Sequence, residues 1–121
     1  MKDKLAQQRY QHRQQAVQLH MAQELTDRTR YLVSKICKAC DVTEMQLFGN
    51  LRLARIVVAR KLLYQLLREA GYTYQEIARI ANRHHSTIIH YVKTPIDEKY
   101  IPLLNKLRRL STKWEKKRLS L

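Results

Sequence analysis

Two glycines and two prolines in 121 residues leave this chain few places to turn. It also lacks the alternating apolar and polar runs, bounded by turn residues, that mark strands. An all-α fold is therefore expected, and the spacing of the apolar residues supports it. Between Lys4 and Ala39, Val17, Met21, Leu25, Leu32 and Ile36 fall mostly four apart, one stripe on a polar, glutamine-rich helix. Before Val17 the stripe is weak, so the first dozen residues are expected to fray or to await a partner. A strongly apolar helix follows Gly49 and Asn50, with Ile56, Val57, Ala59, Leu63, Leu66 and Leu67 expected to point inward. Near the end, Leu103, Leu107, Leu110 and Trp114 step by four, three and four, like a heptad seam on a basic helix.

The breaks between these helices carry their own signals. Asp41 and Val42 interrupt the first helix. Thr43 with Gln46 three residues on is a capping-box spacing that opens a short turn through Leu47. Gly71 stands where a left-handed C-cap is wanted. Thr73 with Glu76 is a second capping box, opening a short helix to Ile80. The stretch "ANR" (81–83) reads as a turn and "RHHSTIIHYV" (83–92) as the helix after it, which Thr94-Pro95 stops. A short helix, a turn of about three residues and a second helix make a helix-turn-helix. Three segments result: a helical extension over 1–32, the helix-turn-helix domain over 33–94, and a basic amphipathic helix over 95–121.

Charge narrows the function. Lys and Arg number 24 against 10 Asp and Glu, a net +14 with a pI near 10.2. Residues 51–94 carry eight basic and two acidic side chains, and residues 95–121 eight and three. Such an excess favours polyanions, chiefly nucleic acid. No apolar run approaches the roughly 20 residues of a membrane span, and the polar start "MKDKLAQQRYQHRQ" does not resemble a secretion signal. A cytoplasmic, nucleoid-associated protein without membrane contact is expected.

Adjacent histidines and hydroxyls in "RHHSTIIHYV" raise three readings: a metal site, a catalytic site, or a surface that reads a ligand. A zinc site would combine "CKAC" (37–40) with His85 and His90, but five residues separate those histidines, which takes them off one helix face. Cys37 and Cys40 are better explained as small buried residues. A thioredoxin-like role for them needs a βαβ setting that is missing. No serine or cysteine stands in a nucleophile elbow and no phosphate-binding GxxxxGK[ST] is present, so neither an enzyme nor a nucleotide or other cofactor is expected. The reading surface fits best. The second helix of a helix-turn-helix enters the DNA major groove N-terminus first. His84, His85, Ser86 and Thr87 would then meet bases and phosphates while Ile88 and Val92 face the core.

The residues from Val33 to Lys93 resemble the C-terminal DNA-binding domain of the bacterial replication initiator DnaA. The resemblance lies in "LxxxR…ARxxxxxLLREx" (51–70), "TYQEIARIA" (73–81) and "NRHHSTIIH" (82–90), the last set against Gly-Gly-Arg-Asp-His-[Ser/Thr]-Thr-[Val/Ile]. It implies a Trp-repressor-like helix-turn-helix that binds double-stranded DNA by two routes. A recognition helix, 83–93, reads the major groove through His84, His85 and Ser86. A basic loop, 52–60, sends Arg52 into the adjacent minor groove. Arg60, Arg68 and Thr87 match positions on the phosphate side, where contacts position without specifying; Arg55, Lys61, Gln75 and Arg83 complete the expected backbone set.

Departures from the family pattern are informative. His84 replaces the signature's Asp, Ala81-Asn82 replaces Gly-Gly, and the loop near Gly71 is one residue shorter. A second loop arginine is Ala54 here, with Arg55 next door. The initiator's ATPase module has no counterpart, so the expectation is a replication or transcription regulator, of the kind a phage or mobile element carries. Self-association through the terminal helices is a further expectation. Two alternatives compete: an interaction protein whose basic helices dock on an acidic partner, and the detached C-terminal domain of a longer initiator.

Overall fold

The computed structural model describes residues 27–119, with side chains as far as Thr112. Six α-helices follow one another: α1 (Asp27–Cys40), α2 (Glu44–Phe48), α3 (Ala54–Glu69), α4 (Tyr74–Ala81), α5 (His85–Lys93) and α6 (Ile101–Leu119), with a 3-10 turn at Glu98–Tyr100 before α6. No strand occurs among the described residues. The expected start of the first helix near Lys4, and the apolar marks at Val17, Met21 and Leu25, lie outside them.

α3 is the central element and packs against the other five helices. Ile56, Ala59, Leu62, Leu63, Tyr64, Leu66 and Leu67 are all buried along it, a wider face than a surface helix needs. Leu32, Val33 and Ile36 of α1 close one side of this core, and Ile77, Ile80 and Ile88 of the helix-turn-helix close another. The core runs past 33–94 at both ends, because Thr29, Leu104 and Leu107 are buried too. α6 therefore packs on α1 and α3.

Three helices end in the same way, and each ending is encoded locally. Asp41 (φ 55°), Gly71 (φ 102°) and Asn82 (φ 53°) all adopt the left-handed conformation just past a helix. The next amide in each case bonds back across the last turn: Val42 to the Cys37 carbonyl at 3.0 Å, Tyr72 to Leu67 at 3.1 Å, Arg83 to Ala78 at 2.9 Å. These are Schellman closures, and Asp, Gly and Asn are the residues that tolerate them. Both capping boxes form, Thr43 with Gln46 and Thr73 with Glu76. The Thr73 hydrogen bonds hold the Glu76 carboxyl below its usual range.

Two helical expectations need correction. Val57 is half-buried rather than inside, because it lines a cleft between α3 and α5. On α6 the inward stripe is Leu104, Leu107 and Ser111, with Leu103 and Leu110 at its margin. The two stripes share Leu107. Contacts outside α6 choose between them: the Arg28 guanidinium donates to the Ser111 hydroxyl at 3.1 Å, and Arg108 pairs with Glu69 of α3 at 2.6 Å. The side chain of Trp114 lies outside the described set.

α3 begins without help. Its N-cap is Leu53, extended (φ −67°, ψ 147°) and making no side-chain cap hydrogen bond, where Ser, Thr, Asp or Asn would satisfy a first-turn amide. Leu53→Ser should therefore stabilise the fold by about 1 kcal/mol, raising the melting temperature by about 4–8 °C for a domain of this size. An unchanged melting temperature would mean that those amides already have a partner.

Candidate nucleic-acid interface

A cleft of about 470 Å³ opens between the loop before α3, the first half of α3, and α5. Arg52, Val57 and Lys61 line one wall; Ser86, Thr87, His90, Tyr91 and Thr94 line the other. Helical spacing explains both walls. Val57 and Lys61 are four apart, as are Thr87 and Tyr91, and residues so spaced share a face. Of the residues singled out in the sequence, Arg52, Lys61, Ser86 and Thr87 are brought together here. His90, Tyr91 and Thr94 were missed, although the step from Thr87 by three, four and seven residues would have found them.

The helix of "RHHSTIIHYV" starts later than expected. α5 begins at His85, so Arg83 and His84 precede it. His84 is the N-cap: its Nδ1 accepts from the Ser86 amide at 3.2 Å and stands 2.7 Å from the Ser86 hydroxyl. Nδ1 can accept only if unprotonated, which leaves the ring's proton on Nε2. The His85 ring lies beside it, centroids 4.4 Å apart and tilted by 31°. His84, His85 and Ser86 are all exposed.

Arg60 is the clearest correction. It was expected on the phosphate side, but only 1% of it is exposed. Its Nε donates to the Leu47 carbonyl at 2.9 Å and its Nη2 to the carbonyls of Gln46 at 3.0 Å and Gly49 at 2.7 Å. The guanidinium thus closes the end of α2, whose last carbonyls have no helical partners. Arg83 is diverted in the same direction. Its Nε donates to the Tyr64 hydroxyl at 3.1 Å and its Nη2 to the same Gly49 carbonyl. A Cβ on residue 49 would meet the Met45 carbonyl oxygen at 2.7 Å, so the chain can pass this closely only as glycine.

These contacts brace the site. Tyr64 is buried, and its ring meets Tyr91 of α5 edge-on at 5.2 Å. Burial pushes its hydroxyl up from the ordinary value, and the neighbouring Arg83 pulls it partly back. Tyr64, Arg83, Gly49 and Arg60 thereby connect α5, α3 and the loop that carries Arg52. Orientation between that loop and α5 is held by these buried and part-buried bonds and by the ring contact.

The other expected residues lie elsewhere. The loop expected over 52–60 ends at Leu53, because α3 already begins at Ala54, and Arg55 is exposed in its first turn. Arg68, in the last turn of α3, and Gln75, exposed in the first turn of α4, are not among the cleft residues. Arg68 donates to the Tyr72 carbonyl at 3.0 Å and covers the Tyr74 ring at 4.6 Å. Cys37 is buried and Cys40 partly so; burial pushes the Cys37 thiol up to about 12, leaving it protonated at neutral pH. Among the described residues no three metal-capable side chains gather, and no helix is long and apolar enough to cross a membrane.

Comparison with known proteins agrees with this geometry. The family model described as the bacterial dnaA protein helix-turn-helix matches residues 29–94. Searches of curated proteins and of solved structures return no match. The family match covers more than half of the chain and takes in both helices of the turn, the brace and every residue of the cleft. The chain belongs to the helix-turn-helix family of the bacterial DnaA protein, a DNA-binding domain.

Proposed function

We propose that this protein reads a preferred duplex DNA sequence and serves as an accessory regulator of replication or transcription without enzymatic activity of its own. α5 enters the major groove with its N-terminus leading, presenting His84, His85 and Ser86 to base edges. Arg52, on the braced loop, reaches the neighbouring minor groove. Lys61, Arg55 and Thr87 take phosphates. The observation that carries this reading is the cleft itself: two basic side chains, Arg52 and Lys61, face the hydroxyls of Ser86 and Thr87 at the leading end of α5. Family membership supports duplex DNA as the polyanion and replication as the setting.

Selection of bound duplexes from a random pool tests the proposal, and it should return a motif. Affinity for that motif should fall steeply with salt. With roughly five to seven phosphates neutralised, log K against log salt has a slope of about −5 to −6. A pool that yields no motif, or binding that hardly responds to salt, would favour the docking of the basic helices on an acidic protein instead.

A further inference from the structure

We propose that Leu51 and Leu53 are apolar wedges, entering the minor groove on either side of Arg52 and partly unstacking one base step there. The proposal rests on the reading of the chain as a duplex DNA binder and adds the means by which the flank of its site is chosen.

Most large apolar side chains of the described residues are buried in one core. Leu51 is 55% exposed and Leu53 49%, and Ile101, on a different helix, is the next at 39%. A single exposed leucine is ordinary. Two within three residues, flanking an arginine of the DNA-facing cleft, are a local concentration. Neither has an evident task in the free protein: Leu53 occupies an N-cap it cannot fill.

Charge selects the occupant. The leucines alternate with Arg52 and are followed by Arg55, on a chain of net +14. A second copy would bring the same charges against itself, whereas the minor groove offers negative potential for the arginine and apolar sugar walls for the leucines. Proteins that kink DNA from the minor groove use such apolar side chains beside basic ones. A wedge also needs a stiff mount, or the loop would yield before the DNA. The mount is present: the Gly49 carbonyl, two residues before Leu51, accepts from both Arg60 and Arg83.

The test uses the full chain and two duplexes carrying the selected motif, with flanks of equal base composition. One flank contains TA steps, which unstack easily; the other is a stiff A-tract. 2-Aminopurine at the flank step reports unstacking by its fluorescence. The parent should brighten the TA flank and favour it by about fivefold to tenfold, a typical worth for one base position. Leu51→Ser/Leu53→Ser should abolish the brightening and the preference, while its affinity for the A-tract duplex stays within about twofold of the parent's, because the phosphate contacts that dominate affinity are retained. Leu51→Ser alone, which leaves the start of α3 untouched, should lose part of both. A parent that binds tightly without brightening, or variants that keep the flank preference, would overturn the wedge. So would a drop in oligomeric state in the double variant, which would assign the leucines to a second copy. A parent inert towards every duplex would defeat the DNA-binding reading first and the wedge with it.

Discussion

Arg60→Ala should unfold most of this domain's margin of stability without touching its phosphate contacts. Removing the guanidinium leaves the carbonyls of Gln46, Leu47 and Gly49 without the donor they share, and opens a cavity where the side chain was. Buried carbonyls left short of a donor cost about 1–3 kcal/mol each, and with the cavity term added the loss should reach about 3–5 kcal/mol. For a domain of this size the melting temperature should fall by about 15 °C or more. Arg60→Lys separates the two roles that an arginine can have here. Lysine keeps the positive charge, so it would largely rescue a phosphate contact. Its single nitrogen cannot stand at both the Nε and the Nη2 positions from which arginine reaches the three carbonyls, so as a clamp it should lose at least about 2 kcal/mol. Thermal melts of both variants, with salt titrations on the fraction that stays folded, decide the matter. A parental melting temperature for Arg60→Ala, with a salt slope shallower by about 0.9, would return Arg60 to the phosphate side.

This case shows where the sequence is legible and where it is not. The caps at Thr43 and Thr73 and the turn at Gly71 could be read directly, because each is a contract between residues three to five apart. α5 starts two positions later than its sequence pattern predicts, because histidine is an unusual N-cap and no familiar spacing marks it. Arg60 and Arg83 illustrate a deeper limit. An arginine in a basic segment looks like a phosphate ligand, and the partners that claim these two are mostly backbone carbonyls, which every sequence contains. Only the tertiary path, brought tight by Gly49, aims those carbonyls at them. Arg52, Lys61, Ser86 and Thr87 converge because resemblance and helical spacing point to the same face. The α6 stripe was ambiguous by one position, since both registers contain Leu107, and it was settled by Ser111 meeting Arg28 from another helix.

His84→Asp, at the N-cap of α5, should separate specificity from stability. Aspartate is itself a preferred N-cap, so it can accept the Ser86 amide that His84 Nδ1 now takes. The fold should hold its melting temperature, whereas His84→Ala, which removes the acceptor, should lose about 1 kcal/mol. What changes is the outer edge of the side chain. With Nδ1 engaged by the cap, the imidazole presents Nε2–H, a donor suited to guanine N7 or O6. An ionised carboxylate can only accept, which suits the cytosine amino group. Base preference at one or two adjacent positions should therefore move from G towards C by about 1–3 kcal/mol per base pair. Aspartate in this position is also the residue of the family signature, so the shift should run towards the sites read by members that carry it. The new negative charge will weaken binding to all sequences alike, and a uniform loss is readily separated from a change in preference by selecting with both proteins from the same pool. Selection profiles that coincide at every position after His84→Asp would show that His84 caps α5 and reads nothing.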